Sequence, residues 1–325
     1  MKYLSITQRL SFVVVLLFQV LLLQAEGLIR EVTVTEAGTL STLIPASEKM
    51  EITDLKVSGS INGADIKYIC EMAGMADKTW NKNAKLYNLD LKDANIVDGG
   101  LEGTEWVSQK DALGYDNYIG QAAFHGCYSL RKIAFPSTLS QLKYGALDSC
   151  PNLSNVVISS SEISCREMSI FNCNIDTLSF LSSGKMKVTP VSVDTGVLLG
   201  GTSLNAVKIE AAELAIRGRL DLPNNTLKSV SIKTSGDATL SGFFSRCYGL
   251  TSLSINVGGK LMDGDYSSHV IGGTFSACTS LETFELKAAN AHLYGTFDAC
   301  VNLKSFNIDV SENLQLVYTF AQCSS

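Results

Sequence analysis

The nine cysteines of this 325-residue chain are the residues with the widest choice of chemistry. A thiol can form a disulfide, bind a metal ion, act as a nucleophile or pack as a small apolar group. Because seven of the nine recur at one position of a repeated pattern, we expect them to form a single column along the fold. These seven are Cys127, Cys150, Cys173, Cys247, Cys278, Cys300 and Cys323.

The column favours free, buried thiols. Neighbouring units of a stacked fold lie about 5 Å apart, which would also allow disulfides between column members. However, Gly201 and Asn224 interrupt the column at the cysteine position, and no Cys-x-x-Cys pair suggests a metal site. We therefore expect mostly reduced cysteines and no metal or other cofactor, with a disulfide ladder as the alternative.

The remaining candidates for catalysis stand apart from any known motif. His125, His269 and His292 lie near no Gly-x-Ser-x-Gly or His-Glu-x-x-His sequence. We expect core or solvated histidines and no catalytic residues.

Two further patterns have simple interpretations. Asp263 and Asp265 could contribute to a calcium site, but the EF-hand spacing is absent and a polar turn is favoured. Asn152 and Asn224 match the glycosylation pattern Asn-x-Ser/Thr, which has a meaning only in a eukaryotic host.

The elements that position the cysteines are repeated units. The pattern Phe124-x-x-Cys127-x-x-Leu130-x-x-Ile133-x-Phe135 returns 23 residues later as Leu147, Cys150, Leu153, Val156 and Ile158. Apolar residues two apart indicate a strand with one buried face, and Phe124 and Cys127 share one side of a helical or 3₁₀ turn. Such units must stack to bury their apolar sides, which predicts an α/β repeat solenoid: a right-handed leucine-rich-repeat array with short parallel strands.

The predicted strands recur at intervals of 23, 22, 29, 23, 23, 31 and 22 residues. The two long intervals contain extra residues, Gly184–Val197 and Gly258–Val270, which we expect to form loops. The strands begin at Leu130, Leu153, Ile175, Leu204, Leu227, Leu250, Leu281 and Leu303.

The region before the regular repeats predicts a longer unit with a helix. Strands are indicated at Ile52 and Leu86, and between them the apolar residues from Ile66 to Ala73 have helical spacing. Asn62 is the expected N-cap and Gly74 the expected residue after the helix. We assign 26–118 to an N-terminal cap with degenerate leucine-rich repeats and 119–325 to regular repeats. The last repeat is incomplete, so we expect a longer parent protein to continue past Ser325.

Residues 1–25 have the features of a signal peptide. Lys2 and Arg9 precede an apolar run from Phe12 to Leu23, which is too short to span a membrane, and cleavage is expected near Ala25. The predicted mature chain is therefore secreted or at the cell surface and has no membrane span. With 26 basic and 32 acidic residues, the chain also lacks the positive charge that a nucleic-acid partner would require.

The segment Ile119-Gly120-x-x-Ala123-Phe124-x-x-Cys127-x-x-Leu130-x-x-Ile133-x-Phe135-Pro136 resembles the repeat of BspA-like leucine-rich repeat proteins, which are bacterial surface and secreted proteins. The resemblance covers roughly residues 50–325 and departs from the pattern at Leu204 and Leu227. It implies adhesion or recognition of host proteins, other cells or glycans, and no catalytic site.

Ligand binding is expected on the outward side of the strands, because the side chains of a strand alternate between its two faces. The outward residues of successive strands should form a row. That row comprises Ala134, Val157, Ser179, Lys208, Ser231, Ser254, Glu285 and Asn307. From Lys208 onward it is polar, so we predict that Lys208, Ser231, Ser254, Glu285 and Asn307 contact a protein or glycan ligand.

Non-catalytic recognition or adhesion at a bacterial surface is thus the favoured function. Two alternatives remain: a targeting module of a larger secreted enzyme whose catalytic domain lies beyond residue 325, and a structural spacer.

Overall fold

Two parallel ladders of strands run along the molecule and contain most of its strands. The computed structural model describes residues 27–76, 79–100, 114–165, 168–190, 198–220, 226–263 and 273–324, so the predicted signal peptide lies outside it. The first ladder, here called the front ladder, is formed by β1 (Leu28–Val34), β2 (Ile52–Ile61), β5 (Asn88–Asp90), β9 (Lys132–Ala134), β12 (Asn155–Ile158), β15 (Asn174–Leu181), β18 (Ser203–Ala211), β20 (Ser229–Thr234), β22 (Ser252–Val257), β24 (Thr283–Tyr294) and β25 (Ser305–Val317).

The second ladder, here called the side ladder, follows the front ladder within each coil. The long strands β2, β24 and β25 continue from the front ladder into it, so that the described strands of both ladders form one sheet. Its shorter strands are β6 (Ala94–Ile96), β8 (Tyr118–Ile119), β10 (Gln141–Leu142), β13 (Glu162–Cys165), β16 (Lys185–Pro190), β19 (Glu213–Arg217), β21 (Ala238–Ser241) and β23 (Lys260–Asp263).

A third side closes each coil with a turn that also bonds to the next coil. Three short parallel strands lie there: β11 (Leu147–Asp148), β14 (Ile170–Phe171) and β17 (Leu199–Gly200). In later coils single backbone bonds continue the pattern, as from Phe297 N to Thr319 O at 2.9 Å. The two antiparallel pairs of the described chain are β3 (Met75–Ala76) with β4 (Thr79–Trp80), and β7 (Gly114–Tyr115) with β8.

The helices lie in the N-terminal region, as predicted. They are α1 (Leu40–Leu43), α2 (Ala46–Lys49) and α3 (Gly63–Met72). Asn62 is the N-cap of α3, and Asp65 completes a capping box by accepting the Asn62 N–H at 3.0 Å. The buried Asp65 carboxylate also accepts the N–H groups of Gly38 at 2.6 Å and Leu40 at 2.9 Å, which fixes α1 against α3.

The predicted solenoid and its parallel strands are confirmed, but the predicted loops require a correction. The segments Gly184–Val197 and Gly258–Val270 contain β16 and β23, which pair in parallel with the side ladder. Met186 and Leu261 in these strands are buried, so these parts of the two segments belong to the core rather than to surface loops. The remainder of both segments, 191–197 and 264–270, lies outside the described residues.

A stack of phenylalanine rings fills the C-terminal half of the interior. Ring centroids are 5.4 Å apart for Phe244 and Phe275, 5.8 Å for Phe275 and Phe297, and 5.7 Å for Phe297 and Phe320. Each ring belongs to a different coil, and the nearly parallel planes form offset contacts that add to the gain from burial. The aromatic residue of the repeat therefore packs mainly against its equivalents in neighbouring coils.

Most of the described turns contain backbone in the left-handed region at two fixed positions. The residue before the column cysteine has a positive φ, as at Ser149 (54°), Ala277 (56°) and Ala299 (57°). A positive φ also occurs two residues before the aromatic position, as at Gly295 (60°), which precedes Phe297 by two residues. Only glycine adopts this conformation without steric strain, and most of these positions are not glycine.

We expect Ala299→Gly and Gly295→Ala to have opposite effects on stability. An alanine Cβ at Gly295 would meet no atom closer than 3.6 Å, so only its φ is unfavourable, and the change should lower the free energy of unfolding by about 1 kcal/mol. Ala299→Gly should raise it by up to about 1 kcal/mol because a strained residue is relieved. Urea denaturation of both variants checks this, and a shift in the same direction for both would contradict it.

Candidate functional site

The repeated cysteines form the predicted column, and its members are buried. Cys127, Cys150, Cys173, Cys247, Cys278 and Cys300 lie in the core, and Cys323 is half-buried. All eight cysteines with described side chains are free thiols, including Cys70 on α3. The side chain of Cys165 is outside the described set.

Five thiols of the column donate a hydrogen bond to the preceding coil. In each case the acceptor is the backbone carbonyl of the residue at the aromatic position of that coil. The Sγ–O distances are 3.0 Å from Cys150 to Phe124, 3.8 Å from Cys173 to Leu147, 3.4 Å from Cys278 to Phe244, 3.2 Å from Cys300 to Phe275 and 3.2 Å from Cys323 to Phe297. A thiol is a weak donor, but in a dry interior it gives this carbonyl a second partner. The column is thus a ladder of hydrogen bonds between coils.

The interruption of the column at Gly201 requires a correction. The register of β15 and β18 places Thr202, not Gly201, opposite Cys173. Gly201 instead occupies the left-handed position before it, with φ 56°. The hydroxyl of Thr202 donates to Ile170 O at 3.4 Å, which is the bond that a column thiol makes. A hydroxyl therefore replaces the thiol in this unit. Asn224, the second predicted interruption, lies outside the described residues.

The environment of the column keeps its thiols protonated. Burial, together with the thiols of Cys247 and Cys300, raises the pKa of Cys278 well above its ordinary value. Burial raises the pKa of Cys300 to about 12 and also raises that of Cys323. Nucleophilic attack and metal binding require the thiolate, so these thiols serve the fold rather than chemistry. No group of three or more His, Cys, Asp or Glu residues in the described part of the chain could hold a metal ion.

The other candidate residues take part in local structure. His125 Nδ1 lies 2.9 Å from Asp148 Oδ2, and although burial opposes it, hydrogen bonds from His125 and Ser149 lower the pKa of Asp148. The buried Asp263 accepts the N–H of Thr274 at 3.1 and 3.2 Å, so it links the two sides of the 264–272 segment.

Of the remaining residues singled out in the sequence, Asn152 takes part in a contact between coils. Asn152 donates to Tyr128 O at 2.7 Å, so its amide nitrogen is engaged between two coils. His292 lies in the side ladder between Met262 and Gln315. His269 and Asp265 lie outside the described residues.

The front ladder brings the predicted binding residues into one row. Lys208, Ser231, Ser254, Glu285 and Asn307 are register neighbours on five successive strands. The row continues toward the N-terminus through Ser179, Val157, Ala134, Asp90, Lys56 and Glu31. All five predicted residues are exposed. Whether they bind a ligand stays a prediction.

Two parallel rows flank this one on β18, β20, β22, β24 and β25, and the sequence reasoning did not include them. One row comprises Ala206, Ser229, Ser252, Thr283 and Ser305, and the other Glu210, Lys233, Asn256, Lys287 and Asp309. The signal was present in the sequence, because residues two before and two after each predicted residue must share its face. Together the three rows form a polar surface, here called the front face.

The repeat pattern decides the family. A family model described as "BspA type Leucine rich repeat region" matches in six copies over residues 116–212 and 223–325, which is more than half of the chain. The chain belongs to this family. A leucine-rich repeat protein of known structure from Bacteroides ovatus is similar at 14% identity over 67% of this chain and 82% of that one, with a TM-score of 0.22. A comparison with curated proteins finds no match.

The coils differ in how the outward side chains of their front-ladder strands are paired. Near the N-terminus Asn88 Nδ2 donates to Asp54 at 2.6 Å, and Lys56 lies 3.1 Å from Asp93. Lys208 is likewise paired with Glu210 at 3.0 Å. From β20 onward, Ser231, Ser254, Glu285 and Asn307 have no side-chain hydrogen bond or ion pair to any described residue, and neither do Ser229, Ser252, Thr283 and Ser305. The C-terminal half of the front face therefore offers polar groups that the fold does not use.

The sequence predicts no membrane span in the mature chain. Within the described ranges, no helix combines the length and the apolar character that crossing a bilayer requires.

The raised thiol pKa values predict a loss of stability at alkaline pH. An unfolded thiol ionises near pH 9, whereas Cys278 and Cys300 resist ionisation when folded. Their contribution is therefore complete below pH 9 and decreases as the pH rises toward 12. Replacing both by alanine should lower stability at pH 7 but flatten its decline between pH 9 and 11. Urea midpoints across this range provide the measurement, and parallel pH profiles of the two proteins would refute the explanation.

Proposed function

We propose that this protein is a secreted, non-catalytic recognition module whose front face binds a protein, a cell-surface component or a glycan at a bacterial surface. The observation that carries the proposal is the row of exposed polar side chains from Ser231 to Asn307, which have no partner among the described residues. Polar side chains that hydrogen-bond only to water can exchange this water for polar groups of a ligand with little loss of free energy.

The rigidity of the surface supports the same function. The outward residues lie on strands whose inward neighbours are buried, as Leu253 and Ile255 are in β22. The backbone that carries the outward side chains is therefore fixed before a ligand arrives, which reduces the entropy lost on binding. Extended surfaces built in this way are typical binding sites of solenoid proteins.

The proposed location follows from the sequence. Residues 1–25 have the charge and length of a secretory signal, and the chain has a net charge of −6. A recognition surface of mixed polarity on an exported chain is consistent with adhesion to another cell or to its extracellular proteins.

Blocking the front face should abolish binding, whereas the same change on the side ladder should not. Ser231→Trp and Ser254→Trp each place a bulky ring in the predicted row, and tryptophan is tolerated at exposed strand positions. Thr239→Trp is the matched control, because Thr239 is an exposed outward residue of the side ladder, between Ala215 and Met262.

The measurement is binding of the purified chain to arrays of extracellular-matrix proteins and of glycans. We expect at least a tenfold loss of affinity for both front-face variants, equivalent to about 1.4 kcal/mol, and no loss for Thr239→Trp. Loss with Thr239→Trp alone would move the site to the side ladder. Hydrolysis of an arrayed glycan or protein by the purified chain would contradict the non-catalytic role.

A further inference from the structure

A shallow groove of about 520 Å³ crosses three strands at the C-terminal part of the front face. One wall carries only hydroxyl groups, and the other carries a hydroxyl, a carboxylate and an amide. The first wall is Ser252, Thr283 and Ser305, and the second is Ser254, Glu285 and Asn307. Between the walls lie Leu253 and Phe284, which are buried, and Phe306, which is 52% exposed.

The groove contains one ionised group. Glu285 is exposed, is the only charged residue among the described lining residues, and has Ser254 and Asn307 as its register neighbours. The nearest lysine along the strand, Lys287, is directed to Asp309 at 3.7 Å. Glu285 therefore carries a negative charge that no described residue neutralises, so the groove favours a cationic group.

The direction and length of the groove limit the shape of its ligand. Its walls follow the solenoid axis and span three strands, which are spaced about 4.8 Å apart, so that the first and third strands are separated by about 10 Å. An extended polypeptide advances about 3.3 Å per residue. Three or four residues of an extended segment therefore match the groove.

The side chains of the groove favour a peptide over a sugar. Sugar rings commonly bind against aromatic faces, and no outward position of the three rows from β18 to β25 is aromatic. The ring of Phe306 stacks on Phe284 and Phe320, with centroid distances of 5.4 and 4.7 Å, on the inward side. Hydroxyl and amide groups can both donate and accept, as the N–H and C=O groups of a peptide require.

On the basis of the proposed function, we infer that this groove binds an extended peptide segment of a partner protein, with one lysine or arginine side chain placed at Glu285. The segment lies along the solenoid axis between the two walls. Its basic group forms a charge-assisted hydrogen bond with the Glu285 carboxylate, and the wall hydroxyls bond to its backbone.

A set of matched peptides tests the inference. The probes are fluorescein-labelled, C-amidated hexapeptides of serine, threonine and glycine with one central lysine, together with the same peptides carrying norleucine or glutamate instead. Fluorescence anisotropy measures their binding to the full chain, to Glu285→Gln and to Glu36→Gln. Glu36 is exposed, lies outside the front ladder and serves as the charge-matched control.

We expect the lysine peptides to bind at least tenfold more tightly than the norleucine peptides, and the glutamate peptides not to bind. Glu285→Gln should remove this preference and Glu36→Gln should keep it. Binding of the lysine peptides should also weaken as salt is raised, because the new contact is an exposed ion pair.

Two kinds of outcome would overturn the inference alone, and a third would overturn the proposed function with it. If Ser254→Trp blocks an arrayed partner but Glu285→Gln changes nothing, the front face binds without the cationic contact. If the chain binds glycans at this groove, or the glutamate peptides in preference to the lysine peptides, the ligand class is wrong. If Ser254→Trp and Ser231→Trp leave all binding intact, the front face itself is not the site and the proposed function fails.

Discussion

The contacts that stabilise this protein run from one coil to the next rather than within a coil. Cys300 donates to Phe275 O at 3.2 Å, Phe297 N to Thr319 O at 2.9 Å, and the rings of Phe275 and Phe297 stack at 5.8 Å. Ordering a unit of about 23 residues costs roughly 35 kcal/mol at ~1.5 kcal/mol per residue, which its few buried side chains cannot offset alone. Stability therefore depends on each coil having neighbours, and a change in one coil acts mainly on the coils beside it.

Those parts of the fold that depend on local spacing could be predicted from the sequence. The Leu-x-x-Φ-x-Φ pattern identified strands such as β12 and β22, and the helical spacing before Ala73 identified α3 with its cap. The side ladder was not predicted, because strands such as β23 lack the leucine pattern and lie beside segments rich in glycine. Its strands are defined by pairing with neighbouring coils, which a reading of one segment at a time does not include.

The cysteine column shows the same limit at the level of one residue. Spacing placed Gly201 in the column, whereas pairing between coils places Thr202 there, because that unit has one residue fewer between the turn and its leucine. The function of the column was also beyond sequence reasoning. A repeated cysteine is compatible with a disulfide, a metal ligand or a buried thiol, and only the distance from Sγ to the preceding carbonyl, as from Cys150 to Phe124, identifies a hydrogen-bond ladder.

The separation of inward and outward positions explains why the front face can carry a specific site. Inward residues such as Ile232 and Ile255 are constrained by the neighbouring coils, and they fix the register of the outward residues beside them. An outward residue such as Glu285 can therefore differ between coils without a change in the core. On the N-terminal strands such freedom is used for contacts within the fold, as between Asn88 and Asp54, and this leaves fewer groups for a ligand. On the C-terminal strands the same backbone spacing holds polar side chains such as Glu285, which can hydrogen-bond only to water or to a ligand. The regular backbone of the repeat therefore presents outward residues that differ from coil to coil, and these differences can determine which ligand binds.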